Sequence, residues 1–317
     1  MPGEVISSKR PESEVADNHQ VLKDCCSAKI YEETKMATMS DGTSFYFFDF
    51  DDNIMFLSTP IFIMNKKTMK PKRLTTGEFA IIQPQLGRSG QYRDYAIFDE
   101  TLDSVRYGRL HGSFNNFCDI PQNELKPGQK QHFVADVEEA IKSDDPKCWQ
   151  APSWDLFVHS CQKQRPISII TARGHSPETL KAGVRVLVDK CLIPQEPNYL
   201  TIFPVTNDDV CRELCCEQPD VPNLKNNTPA LKRIAIRKSV DKAIDEYGYE
   251  PEHHFGMSDD DPQNVDLIIK AMCDCKQKYP DKRFFVIDTH AGEMVKLEVF
   301  PVDYPVTGRR VSGDPLV

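Results

Sequence analysis

Two groups of acids stand out in this chain because each follows directly on an apolar run. Asp49, Asp51 and Asp52 follow Phe45-Tyr46-Phe47-Phe48, and Asp259, Asp260 and Asp261 follow Phe255-Gly256-Met257-Ser258. Carboxylates this close repel one another strongly at a dry site, so they either face water or share a cation. The first alternative is a solvated acidic loop with no chemistry. The second makes Asp49 and Asp51 a metal-linked catalytic pair. Two other residue types could serve the same chemistry: Thr171, closing the run Pro166-Ile167-Ser168-Ile169-Ile170, and a lysine, either Lys238 or Lys232, on the helical stretch 228–247.

These residues need elements that bring them to one place. Four aromatics in succession suit a strand buried on both faces, as in a parallel sheet, and ligands of open α/β sheets collect at the carboxyl ends of such strands. Further strands are expected at 60–64, 166–171, 199–205, 253–258, 284–288 and 294–300, and helices at 131–142, 153–162, 177–191 and 228–247. Ser176 followed by Pro177 suits a helix start, with Leu180, Val184, Leu187 and Val188 on one face. The pattern predicts an α/β fold with a doubly wound, Rossmann-like, mostly parallel sheet. Residues 60–130 mix short strand signals with Gly, Pro and Asn and read as a small β-rich insertion after the first strand, a candidate cap. The core is then 43–59 with 131–303. Residues 1–42 read as disordered apart from a short helix over 18–28, 208–227 as irregular, and 304–317 as a flexible tail.

The 317 residues include 39 Lys+Arg and 48 Asp+Glu, a net charge of -9 that argues against nucleic acid or an anionic membrane as partner. The sequence has no apolar run long enough for a membrane span, and its start lacks a signal pattern, so a cytoplasmic protein is expected. The 11 cysteines are irregularly spaced and read as reduced thiols, Cys211, Cys215 and Cys216 with His253 and His254 being the alternative metal group.

In chain order the strand ends offer Asp49-x-Asp51, Thr171, a lysine and Asp259-Asp260. This arrangement resembles the haloacid dehalogenase superfamily, in which an aspartate pair, a strand-end Ser or Thr, a Lys and a second acidic pair occur in that order. The resemblance implies a Mg2+-dependent phosphatase acting on a small phosphorylated substrate. Asp49 is then the nucleophile, Asp51 the acid and base, and Thr171, the Ala172 amide and Lys238, preferred to Lys232, the phosphate-binding groups. Magnesium is then held by Asp49, the backbone carbonyl of Asp51 and Asp259 or Asp260, with Asp259, first after the strand, favoured. An acid at Asp51 points to a phosphatase or phosphomutase, since dehalogenases lack one and transport ATPases carry Thr. Two departures are visible: Asn53 stands where Thr is usual, and the last motif is an acid triplet. In the superfamily an insertion after the first strand caps the site, which makes Arg88, Arg93 and Arg106 candidate substrate contacts; Arg173 and His175 are others. A catalytically weak binding or regulatory protein of the same fold is the alternative. A signalling receiver domain shares the residue types but not their order, and is shorter.

Overall fold

A computed structural model describes residues 42–98, 112–216, 224, 227–290 and 294–300. The readings for the amino-terminal segment, for the carboxyl-terminal tail and for Arg106 lie outside these residues.

The aromatic run forms strand β1 (Ser44–Phe48), and its alternation fixes the architecture. Phe45 and Phe47 point into one apolar cluster, while Tyr46, Phe48 and Phe50 point into another on the opposite face. A strand covered on both faces must lie inside a sheet with helices on either side. It does so at the centre of six strands ordered β6-β5-β1-β7-β8-β9, with β5 (Pro166–Thr171), β6 (Asn198–Pro204), β7 (His254–Asp259), β8 (Arg283–Asp288) and β9 (Val295–Val299). Every pairing is parallel except that of β8 with β9. The chain runs outward from β1 to β5 and β6, then returns to the other side of β1 as β7. The order therefore reverses at β1, where a crevice opens at the strand ends.

Helices α2 (His132–Ala140), α3 (Trp154–Gln162) and α4 (Pro177–Asp189) bury their apolar sides in the Phe48 cluster. Helices α5 (Asp208–Cys215), α6 (Thr228–Tyr247) and α7 (Pro262–Lys278) do so in the Phe47 cluster. Two of these differ from the sequence reading. Asp208–Cys215 is helical rather than irregular, because Asn207 accepts from the amides of Asp209 and Val210 while Val210, Cys211 and Leu214 supply a buried side. Helix α7 is absent from the expected elements, although Asp261 before Pro262 is a start signal and Val265, Ile268, Ala271, Met272 and Cys275 recur at helical spacing.

Between β1 and α2 the insertion builds a three-stranded antiparallel sheet, β3-β2-β4, from β2 (Ile61–Asn65), β3 (Pro71–Leu74) and β4 (Tyr95–Ala96). It also contains a short helix, α1 (Thr76–Ile82), started by a capping box of Thr75 and Glu78. Ile61, Ile63, Leu74, Phe79, Ile82 and Tyr92 form its own small core. The returning segment joins the main domain where the amide of Gly174 donates to the Phe117 carbonyl (2.8 Å) and the amide of Ser176 to the Asp119 carboxylate (3.0 Å).

Candidate active site at the strand ends

Asp49 continues the odd-numbered face of β1, the face covered by α6. That alternation explains which lysine it meets. Lys232 Nζ donates to Asp49 Oδ1 at 3.0 Å and to Asp259 Oδ2 at 3.1 Å, and all three side chains are buried. Lys238, the choice made from sequence, lies elsewhere: it pairs with Glu213 of α5 at 2.8 Å and lines a groove along edge strand β6. Six residues apart on a helix of 3.6 residues per turn, the two lysines point about 120° apart, so one helix cannot send both to the strand ends.

The second acid triplet divides its work. Asp259 Oδ1 accepts from the Asp261 amide and from Asn264 Nδ2, both at 3.0 Å, which fixes the carboxylate facing Lys232. Asp261 instead caps α7 by accepting from the Gln263 amide. Asp49, Asp259 and Asp260 each place a carboxylate oxygen within 4.8 Å of the others. Among the described residues this is the group that offers three ligand atoms together; the cysteine–histidine grouping is not assembled, although Cys211 and Cys215 Sγ lie 3.9 Å apart on α5.

Electrostatics favour a cation here. Burial pushes the Asp260 carboxyl up to about 9, with Asp49 and Asp259 adding to the rise. Burial likewise pushes Asp49 up to about 7 against the pull of Lys232. Burial alone would lower Lys232, but Asp259 and Asp49 outweigh it and hold the ammonium charged. One lysine thus faces three crowded carboxylates, and an oxygen-preferring divalent ion fits that donor set and the surplus of negative charge.

Asn53 holds the floor of the site. Its Nδ2 donates to the Asp49 carbonyl (3.0 Å), the Ser258 carbonyl (3.2 Å) and Ser258 Oγ (2.8 Å), while its Oδ1 accepts from Ser153 (2.8 Å) and Thr289 (3.0 Å). It therefore ties the ends of β1, β7 and β8 together through the Asp49 and Ser258 main chain and the Ser258 and Thr289 hydroxyls, rather than orienting an acidic side chain. A two-carbon amide with both a donor and an acceptor end can do this.

Asp51 does not join the other acids through its carboxylate. Arg173 Nε and Nη2 donate to its two oxygens at 2.7 and 2.6 Å. The same Nη2 reaches Thr59 Oγ1 at 2.7 Å, and Thr59 in turn donates to Asp136 at 2.6 Å. Phe50 points away from both acids and meets the Phe133 ring edge-on. Asp52 takes up a left-handed turn (φ 56°), a conformation that aspartate tolerates, and the chain leaves the strand there. Thr171 ends β5 buried, with its Oγ1 accepting from the Arg173 amide at 3.3 Å, and Ala172 beside it is exposed. In the parallel register Phe48 faces Ile169, which carries Asp49 and Thr171 to the same end of the sheet.

A cleft of ≈ 730 Å³ adjoins this end, with Asp52, Asp260 and Thr289 on the core side and Thr75, Thr76 and Gly77 on the insertion side. The insertion thus walls the crevice. Arg88 and Arg93 are exposed and do not line it, and His175 is buried against Phe133. Thr59 and Asp136 carried no sequence signal, each being an isolated polar residue whose partners arrive only by folding. Comparison of the chain with protein-family models, with curated proteins and with solved structures finds no match.

Proposed function

We propose that this protein is a Mg2+-dependent phosphatase of the haloacid dehalogenase type, hydrolysing a small phosphomonoester through an aspartyl phosphate. The observation that carries the reading is Lys232 bridging Asp49 and Asp259 where Asp260 completes a three-carboxylate group at the strand ends.

In this mechanism an Asp49 oxygen attacks phosphorus, the bond to the ester oxygen breaks, and Asp51 supplies the proton that the departing oxygen takes. Asp51, now a carboxylate, removes a proton from water; the water oxygen attacks phosphorus, and the bond to Asp49 breaks to release phosphate. Lys232 draws Asp49 toward its ionised form and offsets charge on the transferred group, while Thr171 Oγ1 and the Ala172 amide hold its oxygens. Asp49, Asp259 and Asp260, with the Asp51 carbonyl, would hold a magnesium ion, which would supply the positive charge that lets an anionic phosphate approach these acids. The cleft between core and insertion receives the alcohol part of the ester.

The test is hydrolysis of p-nitrophenyl phosphate with magnesium and with excess chelator. Turnover is expected only with the metal, and Asp49→Asn, nearly isosteric, abolishes it. Wild-type turnover by that variant, or turnover indifferent to chelator, overturns the proposal.

A further inference from the structure

The Arg173 guanidinium is 1% exposed, yet every neighbour described for it belongs to a different part of the chain. Asp51 comes from the loop after β1, and Thr59 is the last residue before the insertion. Phe117, whose ring centroid lies 4.6 Å away, is on the returning arm of the insertion; Phe133, at 4.8 Å, belongs to α2. A planar fork bonded to both oxygens of a carboxylate fixes that carboxylate's plane as well as its charge, which a single-point lysine contact does not.

We infer that Arg173 is the positioning residue for Asp51, and that Thr59 and Phe117 make its position depend on the insertion being seated. This rests on the phosphatase reading. In that reaction Asp51 must present an oxygen first to the departing ester oxygen, to which its proton goes, and then to water, from which it takes one. A carboxylate free to rotate would miss both. The paired guanidinium also sits where negative charge returns to Asp51 once its proton has left with the alcohol.

Leaving groups separate this role from a merely structural one. A p-nitrophenolate departs without help from an acid, whereas the alkoxide of propyl phosphate needs a proton. The quantity to compare is kcat/KM, which reports formation of the aspartyl phosphate and not its later hydrolysis. Arg173→Lys is expected to lower kcat/KM for propyl phosphate about tenfold or more than for p-nitrophenyl phosphate, within the ~10²–10⁴ range that acid–base assistance contributes. Asp51→Asn should show the same skew, and the double variant should be no worse than Asp51→Asn alone. Thr59→Val keeps the arginine but loses its anchor, and should reproduce the skew at smaller size; it carries the test if Arg173→Lys does not fold. Equal losses on both esters, or losses that multiply in the double variant, overturn the inference and leave the phosphatase reading standing. Failure of the wild type to hydrolyse either ester overturns both.

Discussion

Lys232 shows how much depends on one side chain's direction. It is the described cation shared by Asp49 and Asp259, and each of the three is buried. Removing one partner of a buried ionic group leaves the others uncompensated, at a cost of ~3–5 kcal/mol. Lys232→Met should therefore lower stability by about that amount when urea unfolding is followed in the presence of chelator, and should remove turnover. Lys238→Met disturbs a partly exposed pair with Glu213, worth ~0–1 kcal/mol, and should leave p-nitrophenyl phosphate hydrolysis unchanged. The reverse outcome, with Lys238 essential and Lys232 dispensable, would remove Lys232 from the site.

At the level of elements, the site depends on how closely α4 packs against α2. A Cβ added at Gly183 of α4 would lie 2.3 Å from Phe133 Cε1, far inside contact distance. Phe133 is also the ring beneath the Arg173 guanidinium and against Phe50, so it cannot retreat without disturbing the loop that holds Asp51. Gly183→Ala, normally favourable within a helix, is expected to destabilise by ~1–3 kcal/mol through overpacking. Thermal unfolding measures it. An unchanged or raised Tm would show that the two helices separate freely.

Across the whole molecule, pH acts on stability through groups of opposite sign. His175 is fully buried with neither ring nitrogen hydrogen-bonded among the described residues, and burial, helped by Arg173 and His132, pulls its pKa from 6.5 down to about 2. Below pH 6.5 the unfolded chain takes up a proton that the folded chain refuses, so this contribution is intact above pH 6.5 and is lost progressively as pH falls toward 2. Asp260, pushed up from 3.8 to about 9, works the other way: the folded state holds its proton more tightly, which favours folding on acidification over that window. Subtracting one variant from another isolates the histidine. Between pH 6 and 4, the stability of the wild type relative to His175→Phe should fall by ~1.4 kcal/mol per pH unit in urea titrations. A difference independent of pH would mean that His175 is protonated in the folded state.

The sheet was legible in the sequence because a strand covered on both faces must be apolar without interruption, and polar residues at its end then mark the ligand-facing edge. Asp49, Asp51, Thr171, Asp259 and Asp260 could all be located from that local rule. The insertion was legible as a break in the strand–helix alternation, and α7 too carries local signals, a cap and a helical period. Tertiary structure decided the rest: Lys232 over Lys238, Asp261 as a helix cap, Asn53 as a tie between strand ends, and the Arg173–Asp51 pair. Each of these depends on where a helix face or a loop lands against a segment distant in sequence. Residue type and spacing fix which groups can react, but a hydrogen bond across 122 or 183 positions exists only once the sheet has set its order.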